Sequence, residues 1–115
     1  MNFERNWTKL KLKLYMTIRS PNYLKDHKLA IGKIEKVSLK GKFNHNAKVL
    51  AFEDKKIKDI PLIFLQFDVH PIEIDNHEGF VKIMNDMVLT YKGYPGKNTI
   101  NTIKSIIWFE NKGYF

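Results

Sequence analysis

The densest apolar run in the chain is Leu62-Ile63-Phe64-Leu65-Gln66-Phe67-Asp68-Val69. Ile63, Leu65, Phe67 and Val69 share one parity, and Leu62, Phe64, Gln66 and Asp68 the other. That pattern predicts a strand over 62–69, buried on most of both faces. The first residues carry two periods at once. Phe3, Trp7, Leu10 and Leu14 fall at helical spacing. Leu10, Leu12, Leu14, Met16 and Ile18 alternate with Lys9, Lys11, Lys13, Tyr15, Thr17 and Arg19, a strand period. The two fit together as a short helix over 3–11, a turn, and a strand over 14–19. Ser20-Pro21-Asn22 ends that strand, since proline pushes the residue before it out of the helical region and gives no ladder donor.

Two short strands are predicted over 30–39 and 46–53, with a turn at Lys40-Gly41-Lys42 and a polar loop over 53–59. Phe80, Ile83, Met84, Met87 and Val88 repeat at helical spacing and predict a helix over 78–91. A loop with Gly93, Pro95 and Gly96 follows, and then a last strand over 99–109. Nothing repeats and no linker interrupts the pattern, so residues 1–115 are read as one domain. The order of elements is that of an α+β domain with a curved, barrel-like sheet, an N-terminal helix and a second helix before the last strand.

Composition narrows the class. Hydrophobic residues at 43% allow a real core and exclude a disordered tail. The absence of cysteine excludes a disulfide scaffold, thiol catalysis and a thiolate zinc site. His70 and His77 flank Glu73 and Asp75, but the spacing matches no zinc motif, so neither metal nor cofactor is assigned. No apolar run is long enough to span a bilayer or to act as a signal peptide, and a cytoplasmic protein is expected.

Charge points to a partner. The net charge is +8, with 20 Lys+Arg against 12 Asp+Glu. Twelve of those basic residues, but three of the acids, lie in the first 50 positions. Such an excess suits a phosphate-bearing ligand and also suits plain solubility. Arg19 is one of two arginines, and its planar fork can read a phosphate or a base edge, or close the sheet with a salt bridge. Lys11, Lys25, Lys28 and Lys42 are candidate backbone contacts, with Tyr15 and Tyr23 as stacking surfaces. The same residues also describe a solvated face over ordinary core aromatics.

Three separated pieces follow one known order. They are Phe3…Trp7…Lys9-Leu10…Lys13…Thr17-Ile18-Arg19, then Glu78-Gly79-Phe80 leading to Asn85-Asp86-Met87, then Ile106-Ile107-Trp108. Together they resemble the ASCH domain of the PUA-like superfamily over nearly the whole chain. The resemblance implies a small β-barrel with a cleft between barrel and helices, and an RNA or modified-nucleotide ligand. It also implies two alternatives, an amidohydrolase acting on N4-acetylcytidine-like nucleosides or a ribonuclease. In the hydrolytic case Lys13, Thr17 and either Asp86 or Glu78 would form the catalytic set, with the lysine activating the hydroxyl. Lys13 stands one residue off the family's lysine–threonine spacing, and in a strand one residue changes the face. An ordinary strand offers the other account, with Lys13 solvated and Thr17 chosen for β-propensity.

Overall fold

The computed structural model describes residues 1–113. The last two positions of the expected domain, Tyr114 and Phe115, lie outside the described residues. The elements are β1 (Asn2–Phe3), β2 (Leu14–Arg19), α1 (Pro21–Asp26), β3 (Ile34–Leu39), β4 (Lys42–Lys56), α2 (Leu62–Val69), α3 (His77–Lys92) and β5 (Ile103–Gly113). Single 3-10 turns cover Thr8–Lys11 and Ile57–Asp59. Among the described residues the strands form one mixed sheet in the order β1-β3-β4-β5-β2, with β1 parallel to β3 and the other pairs antiparallel. The chain is α+β, as the pattern predicts.

Local chemistry explains the hairpin. Lys40 and Gly41 take φ of 52° and 79°, the left-handed conformation that a two-residue turn between twisted strands requires. The register then slips between Val37 and Ser38, between Asn46 and Ala47, and between Val49 and Ala51. Each irregularity bends its strand and raises the local twist, so the sheet curls into a half-barrel. The Tyr15 hydroxyl lies 2.6 Å from His45 Nε2, crossing over β5 to reach β4. Only the concave face of a curled sheet allows that contact. Tyr15 and His45 are both buried, with Phe109 against the tyrosine ring at 5.5 Å. On the other face, Trp108 of β5 meets Phe64 of α2 edge-on at 5.4 Å. Being covered on both faces explains why Tyr15, Met16, Thr17 and Ile18 are buried in succession.

Several elements differ from the pattern's prediction. The run 62–69 is the helix α2 and not a strand. Only Leu65 and Val69, one turn apart, are buried, while Ile63 is 74% exposed. A short apolar run has no period of its own to separate strand from buried helix. Here Gln66 also ties the following loop, donating to Ile72 O at 2.6 Å and accepting from Ile74 N at 2.8 Å. The helix expected over 3–11 shrinks to the turn at Thr8–Lys11. Phe3, Trp7 and Leu10 are all buried as their spacing suggests, but Asn2–Phe3 pairs with Ser38–Leu39 as a strand. β4 runs on to Lys56 through the expected loop, because β5 pairs with it as far as Ile103. Among the described residues, no helix is long and apolar enough to cross a membrane.

Helix α3 follows its prediction closely. Asn76 caps its start by accepting from Gly79 N at 2.8 Å, and Gly93 ends it in the left-handed conformation. The loop beyond folds back onto it. Gly96 N donates to Asn85 O, and a Cβ at Gly96 would sit 2.6 Å from Asn85 Oδ1, so only glycine fits. Asn85 then accepts from Asn98 N at 3.0 Å and donates to Asn98 O at 3.1 Å.

Candidate functional site

The half-barrel does not close. β1 and β2 are the two edges of the sheet, and a cleft of about 450 Å³ lies between them. Asn2 to Arg5 line one side and Thr17 to Ser20 the other, with Met84, Met87, Val88 and Tyr91 of α3 forming a further wall. Three successive residues of one strand, Thr17 to Arg19, can line a single cleft only along the strand's edge, because their side chains alternate between faces. Arg19 spans the gap, donating from Nη2 to the Asn2 carbonyl at 3.0 Å. Its guanidinium also stands over the rings of Phe3, at 4.7 Å, and Tyr23, at 5.4 Å.

Five cations face the cleft, Arg5, Lys9, Arg19, Lys92 and Lys104, against the carboxylates Glu4 and Asp68. Lys9 is 2% exposed and ion-paired to Asp68 of α2. Burial pushes the Lys9 ammonium below the ordinary lysine range, and the Asp68 charge and hydrogen bond act against that shift. Burial lowers Arg19 and Lys104 in the same way, so both cations are held partly desolvated at the site. The Tyr23 hydroxyl is buried with no hydrogen-bond partner, and its ring stacks on His27 at 3.9 Å. Burial is also the main force raising its pKa.

Of the residues singled out in the sequence, the fold brings Thr17, Arg19 and Tyr23 to the cleft. Thr17 is 3% exposed. Lys13 is exposed and points to the Asn111 carbonyl at 3.5 Å, away from the cleft lining. Glu78 and Asp86 are exposed on α3 and do not line the cleft, so the expected Lys13–Thr17–acid set does not assemble. The α3 wall is made by Met84, Met87, Val88 and Tyr91, and helical periodicity turns Glu78 and Asp86 elsewhere. Tyr15 is a core residue and offers no stacking face. Its hydroxyl meets His45, which burial holds below the ordinary histidine range. Lys25, Lys28 and Lys42 are exposed away from the cleft, and Lys11 lines a smaller cavity beside His45 and Asn111. The basic stripe is therefore divided between separate faces. His70 and His77 serve structural bonds, to Thr8 Oγ1 at 3.0 Å and to the Ile60 carbonyl at 2.7 Å.

Asp68, Lys104 and Tyr91 have no counterpart among the site residues the sequence suggested, and Lys9 appears there only as one lysine of a basic stripe. Lys9 reads no differently from Lys11 and Lys13 in the alternating stretch. Asp68 did carry a signal, since a carboxylate in an eight-residue apolar run requires a buried partner.

No protein-family model matches the sequence. Over 113 residues the chain is 35% identical to the uncharacterized protein MJ0364 of Methanocaldococcus jannaschii, an alignment that covers 96% of this chain and 93% of that protein. Among solved structures, protein EF3133 from Enterococcus faecalis V583, of family DUF984, superposes with a TM-score of 0.60 at 12% identity. That superposition covers 86% of this chain and 61% of EF3133, so the chain spans about three-fifths of the solved protein, and the likeness is one of fold. On the strength of an alignment running nearly end to end in both proteins, the chain belongs to the family of Methanocaldococcus jannaschii MJ0364.

Proposed function

We propose that the cleft binds a nucleobase-bearing phosphate, as RNA or as a modified nucleotide, and that the domain is a PUA-like module of the ASCH type. The observation that carries this reading is the Arg19 guanidinium, held over two aromatic rings inside a cleft lined by five cations and two carboxylates. The volume of about 450 Å³ suits a single nucleotide. Tyr91, 58% exposed on the α3 wall, supplies an aromatic face for a base, and Lys92 and Lys104 supply charge for a phosphate. Affinity for a short single-stranded RNA is expected to fall steeply as salt rises. Arg19→Lys keeps the charge and loses the planar fork, so it is expected to weaken binding about tenfold while the thermal melt stays cooperative. Fluorescence anisotropy across a salt series measures both. No binding of RNA or nucleotide at low salt defeats the reading.

One observation favours a second reading, amide hydrolysis of an acylated cytidine. The cleft lining includes Thr17, Lys9 and Asp68, and Lys9 and Asp68 would take the roles proposed for Lys13 and the α3 acids. Burial favours the neutral amine of Lys9, the form that takes a proton from a threonine hydroxyl, and the Asp68 carboxylate acts against it. Incubation with N4-acetylcytidine and chromatography of the products separates the two readings. Release of cytidine that stops in Thr17→Ala supports hydrolysis, and binding without product leaves the binding module alone.

A further inference from the structure

The open seam of the sheet exposes backbone as well as side chains. Asn111 N donates to Lys13 O at 2.7 Å, and β2 pairs with β5 without a register shift from Leu14↔Glu110 to Arg19↔Ser105. In an antiparallel ladder, hydrogen-bonded and non-hydrogen-bonded pairs alternate. Lys13, Tyr15, Thr17 and Arg19 therefore direct their N–H and C=O toward β5. Leu14, Met16 and Ile18 direct theirs to the other side, where β2 has no neighbouring strand among the described residues. Met16 is fully buried, but Ile18 lines the cleft. Among the described residues, no loop or side chain supplies a hydrogen bond to the Ile18 N–H or C=O. On the facing edge, the Asn2 carbonyl is already taken by Arg19. Ile18 is 8% exposed, and its edge donor and acceptor face the cleft with no protein partner, so a ligand in the cleft can meet both.

We propose that Ile18 reads the base of the bound ligand through its main chain. This rests on the nucleotide-binding reading above and names the chemistry that site selects. In an extended strand, the N–H and C=O of one residue lie side by side on the same edge. Their complement is a planar group with an acceptor beside a donor. A lactam edge, as in uracil or guanine, has that pattern, and so does an amidine edge, as in cytosine or adenine. The base thus enters as a short strand substitute, its Watson–Crick edge against Ile18. The other groups of the cleft have matching tasks. Arg19 spans the seam to Asn2, Tyr91 offers an aromatic face, and Lys92 and Lys104 bring positive charge to the same lining for a phosphate. Recognition by main chain also explains why so apolar a residue as Ile18 sits between Thr17 and Arg19 at the site.

The test uses 15N-labelled full-length protein titrated with AMP, CMP, GMP and UMP, with ribose 5-phosphate, and with N-methyl analogues blocked on the Watson–Crick edge, 3-methyl-UMP and 1-methyl-GMP. The expected result is a downfield shift of the Ile18 amide with at least one nucleotide. The blocked analogue of UMP or GMP should bind at least tenfold more weakly than its parent, and ribose 5-phosphate more weakly still. Nucleotide binding with an unmoved Ile18 amide, or equal affinity for parent and blocked analogue, overturns the main-chain reading and leaves the cleft as a nucleotide site. No binding by any of these nucleotides overturns both.

Discussion

Asp68→Asn is expected to destabilise the fold by about 3–5 kcal/mol, the usual cost of leaving one member of a buried ion pair alone. Lys9 is 2% exposed, and its ammonium has Asp68 as its ion-pair partner. The amide is close in size to the carboxylate, so packing is kept while the countercharge goes. Urea unfolding at neutral pH measures the loss. Burial already lowers the Lys9 pKa in the native protein, and without Asp68 it should fall further. The unfolded chain then binds the lysine proton more tightly than the folded chain. The variant's stability should therefore rise with pH, from the depressed folded pKa up to the ordinary lysine range. The double variant Lys9→Met with Asp68→Leu removes both charges and should recover most of the loss, because a buried pair seldom outperforms an apolar replacement. A loss under 1 kcal/mol in Asp68→Asn, or no recovery in the double variant, would show that water reaches the pair.

Phe80→Ala is the other large expected effect, at about 3–5 kcal/mol for a phenylalanine removed from a packed core. Phe80 is fully buried, and it is the residue of α3 that is. Ile83, Met84 and Met87 pack against the core only in part. The helix is thus pinned near its start, while its middle forms a wall of the cleft. Loss of the pin should loosen that wall, so ligand affinity should drop along with stability. Leu89→Ala, at a position 47% exposed on the same helix, should change stability by less than about 0.5 kcal/mol. Paired thermal melts and binding curves for the two variants check this. Equal melting temperatures would refute the pinning role of Phe80.

The parts of the molecule legible in the sequence are those in which local period and long-range packing agree. β2 alternates between Tyr15, Thr17 and Arg19 on one side and Met16 and Ile18 on the other, and pairs in just that register. The Lys40-Gly41 turn could be placed because few residues tolerate positive φ. Helix α3 could be placed because its apolar side chains fall at i, i+3 and i+4 and Gly93 stops it. Arg19 and Thr17 could be placed on their strand for a related reason, since a strand predicted correctly places its own side chains.

The sequence by itself determined the α+β class, the strand that carries Thr17-Ile18-Arg19, the helix that walls the cleft and the excess of positive charge. The tertiary structure alone decided which charges act together. Lys9, Lys11 and Lys13 are equivalent in an alternating stretch, yet the turn at Thr8–Lys11 buries Lys9 against a carboxylate from α2, 59 residues away. Lys92 and Lys104, from the less basic half, join Arg5, Lys9 and Arg19 in one cleft. The run 62–69 became a helix because an apolar segment without a stripe takes its form from the surface it covers, here Trp108 on the back of the sheet. The seam itself belongs to no local segment. It exists because bulges curl the sheet without closing it, and the pairing of distant strands leaves the edge of β2 open at Ile18.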